Sequence, residues 1–334
     1  MSTPHFDPEI NNSFHGSSMA RRSALVVIAN PTAGGGSARQ LARALAALRA
    51  LGCAPALWHT EGPGDAIPLA ARAAREGAGV VVAAGGDGTV AEVAAGLLDA
   101  RRATGAPGPA LGLLPSGTVN VLARDIGLPP RAPEAAARVL HAGHRRVLRP
   151  GRLNGRPFVA VASVGIDSQV VRRINGALKK HTGVLAYLWA LVREMPAYTF
   201  PSITVEMEGL ADERETLVGS LVVVARSRLY GGPLTALPGA DVGDDCLHVL
   251  VLRRGGRPAL ARYGLGLLTG RLAGMEGVER RAARRVTLHA ADPLPLQADG
   301  DLAGTLPAVA HVDTGDTLDL IVPASPRGQH PHPS

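Results

Sequence analysis

The chain has 334 residues, enough for two domains, because a single hydrophobic core rarely grows beyond about 250–300 residues. Hydrophobic residues make up 46% and charged residues 19%, as in ordinary globular proteins, and the net charge of +7 favours anionic partners such as nucleotide phosphates or anionic membranes. The spacing of Cys53 and Cys246 excludes a disulfide framework. No apolar run reaches the roughly 18 residues of a membrane span, and we expect a cytoplasmic protein.

The first part of the chain alternates strands and helices. Residues 1–22 and 325–334 are polar, and we expect them to be disordered tails. From 23 to 143, "ALVVIAN", "APALWHT", "AGVVVAAG" and "PALGLLP" predict strands, and alanine-rich amphipathic stretches such as "SARQLARALAALRALG" predict the helices between them. Alternation of this kind predicts an α/β domain with a parallel sheet, whose ligands bind at the carboxyl ends of the strands.

The second part, from 144 to 312, is β-rich. Strands are predicted in "RPFVAVASVG", "SITVEME", "GSLVVVARS", "CLHVLVLRR" and "RRVTLHA", with turn residues between them. One long apolar helix is predicted over 182–195. Mostly consecutive strands predict an antiparallel sandwich as a second domain.

Four glycine-rich turns follow strands of the first domain: "NPTAGGG", "HTEGPGDA", "GGDGTVAE" and "PSGTVNVLAR". They lack the lysine of a Walker loop and the spacing of a dinucleotide fingerprint. We therefore expect them to form one cleft that holds nucleotide phosphates through backbone amides and a helix N-terminus, with Mg²⁺ neutralising the charge. A carboxylate such as Asp87 would repel bare phosphate, but it would attract a magnesium ion that bridges phosphates.

In order and spacing, "NPTAGGG", "HTEGPGDA", "GGDGTVAEVAAGL" and "LPSGTVNVLARDIGLP" resemble the diacylglycerol kinase catalytic superfamily, which includes bacterial soluble lipid kinases, sphingosine kinases and ceramide kinases. The resemblance extends from about residue 24 to 323 and is strongest in the first domain. It implies an ATP-dependent lipid kinase with its cleft between an α/β nucleotide-binding domain and a β-rich lipid and metal domain. It also implies that residues 313–324 return to complete the first domain.

The resemblance assigns nucleotide contacts by motif position. These residues are Asn30, Pro31, Thr32, Ala33, Gly34, Thr60, Gly85, Gly86, Asp87, Gly88, Thr89, Val90, Ala91 and Thr118. Asp87 is expected beside the phosphates and Mg²⁺, where it would take part in catalysis.

Two stretches of the second domain are assigned chemistry by the same resemblance. "LPGADVGDDCLHVLV" resembles a structural magnesium loop, in which Asp241, Asp244 and the backbone carbonyl of Cys246 would hold the ion. "LQADGDLAG" resembles the catalytic stretch, where Asp299 or Asp301 would act as the general base on the lipid hydroxyl. The residues alone leave the choice between these two aspartates open.

Three positions depart from the family pattern. Asp301 stands where the family usually has glutamate, and Asp245 stands where it usually has glycine. Arg149 stands where an aspartate commonly precedes "GRLNG". Either another carboxylate such as Asp167 replaces that aspartate or metal handling is altered, which keeps a non-catalytic lipid or nucleotide sensor as an alternative.

The resemblance makes diacylglycerol the leading acceptor, giving phosphatidic acid for phospholipid biosynthesis at the inner face of a membrane. A sphingoid base, another glycerolipid or an isoprenoid alcohol stays open as the acceptor, and a homodimer stays open as the assembly. NAD kinase shares the "GGDGT" turn, but its other motifs are missing. Nucleic acid is not expected as a partner, because no recognition motif or aromatic platform accompanies the basic charge.

Overall fold

The computed structural model describes residues 24–31, 37–174, 190–191 and 193–324. Both predicted tails, the nucleotide-loop residues Thr32, Ala33 and Gly34, and most of the helix predicted over 182–195 lie outside the described residues. No helix within the described ranges is long and apolar enough to cross a membrane.

The first part of the chain forms a six-stranded sheet. Its strands are Leu25–Ala29 (β1), Ala56–His59 (β2), Val80–Gly85 (β3), Ala110–Pro115 (β4), Arg145–Leu148 (β5) and Leu318–Ile321 (β20). The strand order is β2-β1-β3-β4-β20-β5, and all neighbours pair in parallel except β20 and β5. The strands β1, β3 and β4 are almost entirely buried, as expected for a parallel sheet covered on both faces. The predicted α/β sheet is confirmed.

Five helices surround this sheet within the described residues. They are Ser37–Ala50 (α1), Ala66–Arg75 (α2), Asp87–Thr104 (α3), Val121–Asp125 (α4) and Pro133–Ala142 (α5). The backbones of α2 and α3 approach closely, since a β-carbon on Gly96 would overlap the carbonyl oxygen of Ile67. The strand β5 follows residue 143, where the sequence places the first domain boundary, and the domain bounds stay predictions.

The second part is a sandwich of two antiparallel sheets with six strands each. One contains β6 (Gly151–Leu153), β7 (Arg156–Phe158), β9 (Ile203–Glu208), β10 (Arg214–Gly219), β16 (Arg285–His289) and β19 (Ala308–Val312). The other contains β8 (Val161–Val164), β11 (Leu221–Ala225), β14 (Leu247–Leu252), β15 (Val278–Ala283), β17 (Pro295–Ala298) and β18 (Asp301–Thr305). Apolar side chains of both sheets, such as Val205 and Val249, share one core, which confirms the predicted β-rich sandwich.

Shorter elements join these layers. They are the hairpin of β12 (Leu229–Tyr230) and β13 (Leu234–Thr235), the helices α6 (Ile166–Ile174) and α7 (Arg257–Leu268), and a 3₁₀ turn at Leu272–Gly274. The turn between β17 and β18 carries "DG" of the predicted catalytic stretch. The loop that precedes β14 carries the predicted magnesium ligands.

Candidate active site

The carboxyl ends of β1, β2, β3 and β4 meet at one edge of the first sheet, which we call the strand-end edge. The strand ends are in register, because Ala29 pairs with both His59 and Ala84, and Gly85 pairs with Pro115. Among the described residues, Asn30, Thr60, Gly86 and Thr118 follow these strands and therefore lie along one edge of the sheet. This edge is where ligands bind in open α/β sheets.

The helix α3 begins at this edge, directly after β3. Gly86 precedes it in an extended conformation. The first turn runs from Asp87 to Val90, and Ala91 follows it. The amide side chain of Asn30 lies 3.5 Å from the hydroxyl of Thr89, which joins the end of β1 to this turn. The first amides of a helix this long favour anions, so the edge can hold phosphate.

The remaining predicted nucleotide residues are close by. Pro31 is exposed after Asn30, and Thr118 is half-buried in the loop before α4. Thr60 is buried at the end of β2, where its amide donates to the carbonyl of Ala29 at 3.0 Å.

Two glycines let the turns after β3 and β4 touch. A β-carbon on Gly117 would overlap the Cα atom of Gly86 and lie 2.9 Å from the side-chain oxygen of Asn120. Asn120 has a left-handed backbone (φ 52°) and exchanges two hydrogen bonds with Gly117, at 3.0 and 2.7 Å. The contact leaves no space for a side chain.

We therefore expect Gly117→Ala to lower the free energy of unfolding by about 1–3 kcal/mol, because the two backbones must separate. Gly108→Ala is the matched control, since a β-carbon there meets nothing within 4 Å and the backbone is not left-handed. Urea unfolding of both variants measures the difference. Equal unfolding curves for the two variants would contradict the close contact.

The carboxylate of Asp87 connects α3 to α4. Its Oδ2 accepts the amide N–H of Val121 at 2.9 Å, and its Oδ1 accepts that of Leu122 at 3.1 Å. Burial raises the pKa of Asp87, while these backbone hydrogen bonds oppose the rise. Asp87 therefore fixes the first turns of both helices at the strand-end edge.

Asp299 is buried in the turn between β17 and β18, with a left-handed backbone (φ 50°). Its carboxylate accepts three amide N–H groups, from Val159 at 2.8 Å, Ala160 at 2.9 Å and Val161 at 3.0 Å. Burial raises the pKa of Asp299 to about 7, although the three amides favour the ionised form, and the negative charge of Asp87 adds to the rise. This carboxylate anchors the turn to the strand β8 and the residues before it.

Asp301 is the exposed carboxylate of the same stretch and is the first residue of β18. Its Oδ2 abuts the first turn of α3, because a β-carbon on Gly88 would overlap it. The sandwich therefore places the exposed carboxylate of Asp301 at the strand-end edge. The geometry separates two aspartates that the sequence could not separate.

Asp167 belongs to a polar network behind the turn. It accepts the hydroxyl of Tyr230 at 2.6 Å and that of Ser163, and burial raises its pKa. The amide of Gln297 donates to Ser163 and accepts the backbone N–H of Gly300 at 3.0 Å. Asp167 thus supports the turn that carries Asp299 through two intermediate side chains.

The three residues predicted to hold a structural Mg²⁺ are engaged with protein cations. Asp241 forms an ion pair with Arg146, and the carbonyl of Cys246 accepts a hydrogen bond from Arg226. Asp244 lies 2.7 Å from Nε2 of His248. This donor set does not fit Mg²⁺, because its oxygen atoms already face positive side chains that would repel a second cation.

The side chains of Asp244, Cys246 and His248 offer oxygen, sulfur and nitrogen atoms within 4.8 Å of one another. Such a mixed set suits Zn²⁺ better than Mg²⁺. In the structure Asp244 and His248 form an ion pair. Burial lowers the pKa of His248, but its hydrogen bonds to Asp244 and Cys246 outweigh burial and raise the pKa to about 9.

An apolar pocket opens beside Asn30, between the ends of β1 and β4 and the helices α1 and α5. Its walls include Ala29, Leu41, Leu114 and Ala136. Apolar pockets of this kind can hold an aromatic ring, such as a purine.

Comparison with known proteins identifies the family. Residues 24–153 match the model of the diacylglycerol kinase catalytic domain, and residues 160–322 match the YegS C-terminal NAD kinase beta sandwich-like domain. The chain is 31% identical over 293 residues to a diacylglycerol kinase of Mycobacterium tuberculosis (strain CDC 1551 / Oshkosh), which covers 85% of this chain and 90% of the relative. The chain belongs to the diacylglycerol kinase family. A Bacillus subtilis (strain 168) diacylglycerol kinase is 28% identical over 284 residues, covering 84% and 90% of the two chains.

Solved structures of similar proteins share the fold. A Bacillus anthracis str. Sterne protein assigned as a diacylglycerol kinase matches with a TM-score of 0.76 at 20% identity, over 94% of this chain and 99% of that one. A diacylglycerol kinase structure from the same organism matches with a TM-score of 0.65 at 18% identity, over 91% and 98%. The two-part fold is therefore that of the diacylglycerol kinase family.

Sequence reasoning missed two residues of this region, Arg226 and Gln297. Arg226 follows the five apolar residues of β11, and a charged residue directly after a buried strand is a signal that could have been used. Gln297 lies inside the strand β17, and no pattern in the sequence indicates its partners.

Proposed function

We propose that this member of the diacylglycerol kinase family transfers the γ-phosphate of ATP to the hydroxyl of diacylglycerol, giving phosphatidic acid. The relatives named above support the acceptor. The contact between the exposed Asp301 carboxylate and Gly88 carries the proposal, because it puts a proton acceptor beside the helix terminus that suits the phosphates.

The nucleotide would bind across the strand-end edge. Its purine fits the apolar pocket beside Asn30, and its phosphates fit the backbone amides of the turn from Gly85 to Gly88. Thr60 and Thr118 offer hydroxyl groups along the same edge. Backbone donors do here what a lysine does in a Walker loop.

Phosphoryl transfer then needs only a correctly placed acceptor. The lipid hydroxyl oxygen bonds to the γ-phosphorus, the bond from that phosphorus to the bridging oxygen breaks, and ADP leaves with the electron pair. The hydroxyl proton passes to the Asp301 carboxylate. Asp299 holds the turn that carries Asp301 in place through its three amide hydrogen bonds.

Asp87 and Asp301 are the carboxylates that would hold the magnesium ion that accompanies ATP. The Asp87 oxygens keep lone pairs beyond their two amide hydrogen bonds, and carboxylate oxygens are the ligands that Mg²⁺ prefers. When bound, the ion supplies neutralisation of the phosphate charge.

Radiolabelled ATP tests the proposal with a panel of lipid alcohols in mixed micelles: diacylglycerol, monoacylglycerol, sphingosine and an isoprenoid alcohol, each with Mg²⁺ or EDTA. We expect Mg²⁺-dependent labelling that is strongest with diacylglycerol and about 10²–10⁴-fold slower in Asp301→Asn. Strongest labelling of another lipid would overturn the acceptor. Nucleotide binding without labelling of any lipid would overturn the enzyme and favour a sensor.

The helix α7 suits contact with a membrane. Leu265 and Leu268 are 63% and 70% exposed, the largest exposed fractions among the large apolar residues of the described chain. Arg262 on the same helix and Arg271 just after it are also exposed. Exposed leucines beside arginines favour an anionic lipid surface, which supports a peripheral protein at the inner membrane face.

We expect Leu265→Ser with Leu268→Ser to weaken binding to anionic lipid vesicles by about tenfold or more, since each buried leucine contributes about 1.5–3 kcal/mol. Val218→Ser is the matched control, because Val218 is an apolar residue that is 46% exposed and lies on β10, outside helix α7. Vesicle sedimentation measures binding. Equal sedimentation of the double variant and the control would rule out α7 as the membrane contact.

A further inference from the structure

A buried arginine, Arg226, holds the loop that precedes β14. Its side chain is fully buried, with 0% of the residue exposed. Nε donates to the carbonyl of Arg149 at 2.8 Å, Nη1 donates to that of Cys246, and Nη2 donates to those of Asp244 and Val242, the last at 3.4 Å. One guanidinium therefore satisfies four backbone carbonyls from two segments of the chain.

Two further arginines bind the same loop. The Arg149 guanidinium donates to the carbonyl of Gly243, and the Arg149 backbone N–H donates to the carbonyl of Val242 at 2.8 Å. Arg146 forms an ion pair with Asp241, whose other oxygen accepts the N–H of Gly243 at 2.8 Å. The acceptors of this loop thus face three positive side chains.

These contacts conflict with a magnesium ion in the loop. Mg²⁺ requires near-octahedral oxygen ligands at about 2.0–2.1 Å. The Cys246 carbonyl and the Asp241 carboxylate, two of the three predicted ligands, are already bound to arginines. The positive guanidinium groups would also repel a Mg²⁺ ion in the loop, because like charges a few ångströms apart are poorly screened inside a protein.

The Arg226 side chain remains a cation under physiological conditions. Burial lowers the pKa of Arg226 to about 10, and the negative charge of Asp244 opposes this shift. Arg226 is therefore charged at neutral pH, although no carboxylate hydrogen bond neutralises it within the described contacts. Four carbonyl dipoles surround it as they would surround a metal ion.

We propose that the Arg226 guanidinium is the built-in cation of this loop and takes the structural role that the family resemblance assigns to Mg²⁺. The loop then folds without metal. The same arrangement accounts for Arg149, since a carboxylate that would support a metal ion is replaced by a second donor to the loop.

The backbone of Arg226 also contacts the segment that binds Asp299. Its backbone N–H donates to the carbonyl of Ala160 at 2.8 Å, and the N–H of Ala160 donates to Oδ1 of Asp299 at 2.9 Å. The segment that carries the internal cation and the turn that carries Asp301 are therefore joined through Ala160.

Thermal unfolding of the nucleotide-free protein tests the proposal without any substrate. We expect the wild-type Tm to agree within about 1 °C in EDTA and in excess MgCl₂, and Arg226→Met to lower the Tm by at least about 6 °C. Arg253→Met is the matched control, because Arg253 is a half-exposed arginine whose weak ion pair with Glu279 spans 3.8 Å. A Tm of Arg226→Met equal to that of Arg253→Met would overturn the proposal.

Manganese binding gives a second readout that does not depend on the folding of a variant without Arg226. Electron paramagnetic resonance counts the Mn²⁺ ions bound to wild-type protein and to Asp244→Asn. We expect equal counts, whatever other sites bind the ion. One Mn²⁺ fewer in Asp244→Asn, with a Mg²⁺-dependent rise of the wild-type Tm that this variant lacks, would overturn the proposal.

Discussion

Asp301→Asn is expected to lower kcat by about 10²–10⁴-fold while leaving the free energy of unfolding within about 0.5 kcal/mol. Asp301 is exposed at the start of β18, and its carboxylate lies against Gly88 at the strand-end edge. The amide removes the proton acceptor without opening a cavity. Steady-state kinetics with a labelled lipid acceptor, together with urea unfolding, measures both quantities.

Asp299→Asn is the matched comparison, because it should lower the free energy of unfolding more than Asp301→Asn does and lower kcat less. Asparagine tolerates the left-handed backbone of this position and keeps one oxygen, but its amide group faces at least one of the three N–H donors. One buried donor without an acceptor costs about 1–3 kcal/mol. A loss of kcat in Asp299→Asn that exceeds the loss in Asp301→Asn would exchange the two roles.

The same comparison has a pH readout. Burial raises the pKa of Asp299 from its ordinary value of 3.8 to about 7 in the folded protein, so between these pH values the folded state holds a proton that the unfolded state has lost. The contribution of Asp299 to the free energy of unfolding should therefore be greatest below about pH 4. It should fall as the pH rises towards 7, by up to about 1.4 kcal/mol per pH unit. Asp299→Asn should flatten this slope.

Asp87→Ala is expected to lower the free energy of unfolding by about 2–5 kcal/mol, because the buried amides of Val121 and Leu122 lose their acceptor. The loss should extend beyond the first domain. The helix α4 ends at Asp125, whose carboxylate binds Arg228 of the second part at 2.8 Å. Urea unfolding and hydrogen exchange of residues 121–126 measure both effects.

The control for this variant is Asp99→Ala, which removes an exposed carboxylate from the same helix α3. Asp87→Asn should fall between the two, since it keeps one acceptor oxygen. Similar stability of Asp87→Ala and Asp99→Ala would show that the carboxylate does not fix α4. In that case Asp87 would act only on the phosphates or on the metal ion.

Local periodicity was sufficient to predict the first sheet and the sandwich. Runs such as Leu25–Ala29 and Val80–Gly85 are buried on both faces, and their alternation with amphipathic helices is typical of a covered parallel sheet. Helix α7 was not predicted, because glycines at 264 and 266 weaken its helical signal and Pro258 marks only its start. The insertion of β20 between β4 and β5 follows from the resemblance rather than from the pattern, since its partners are distant in sequence.

The chain by itself determined which residues meet at the strand-end edge, because parallel strands with turns after each carboxyl end leave only one place for those turns. Only the tertiary structure decided what each carboxylate does. Asp87 and Asp299 are bound by backbone amides and Asp301 is left at the edge, a difference set by segments more than 30 residues away in sequence. The role of Arg226 in the loop that precedes β14 was also decided by the tertiary structure, since a charged residue in the sequence does not indicate which carbonyls it will bind.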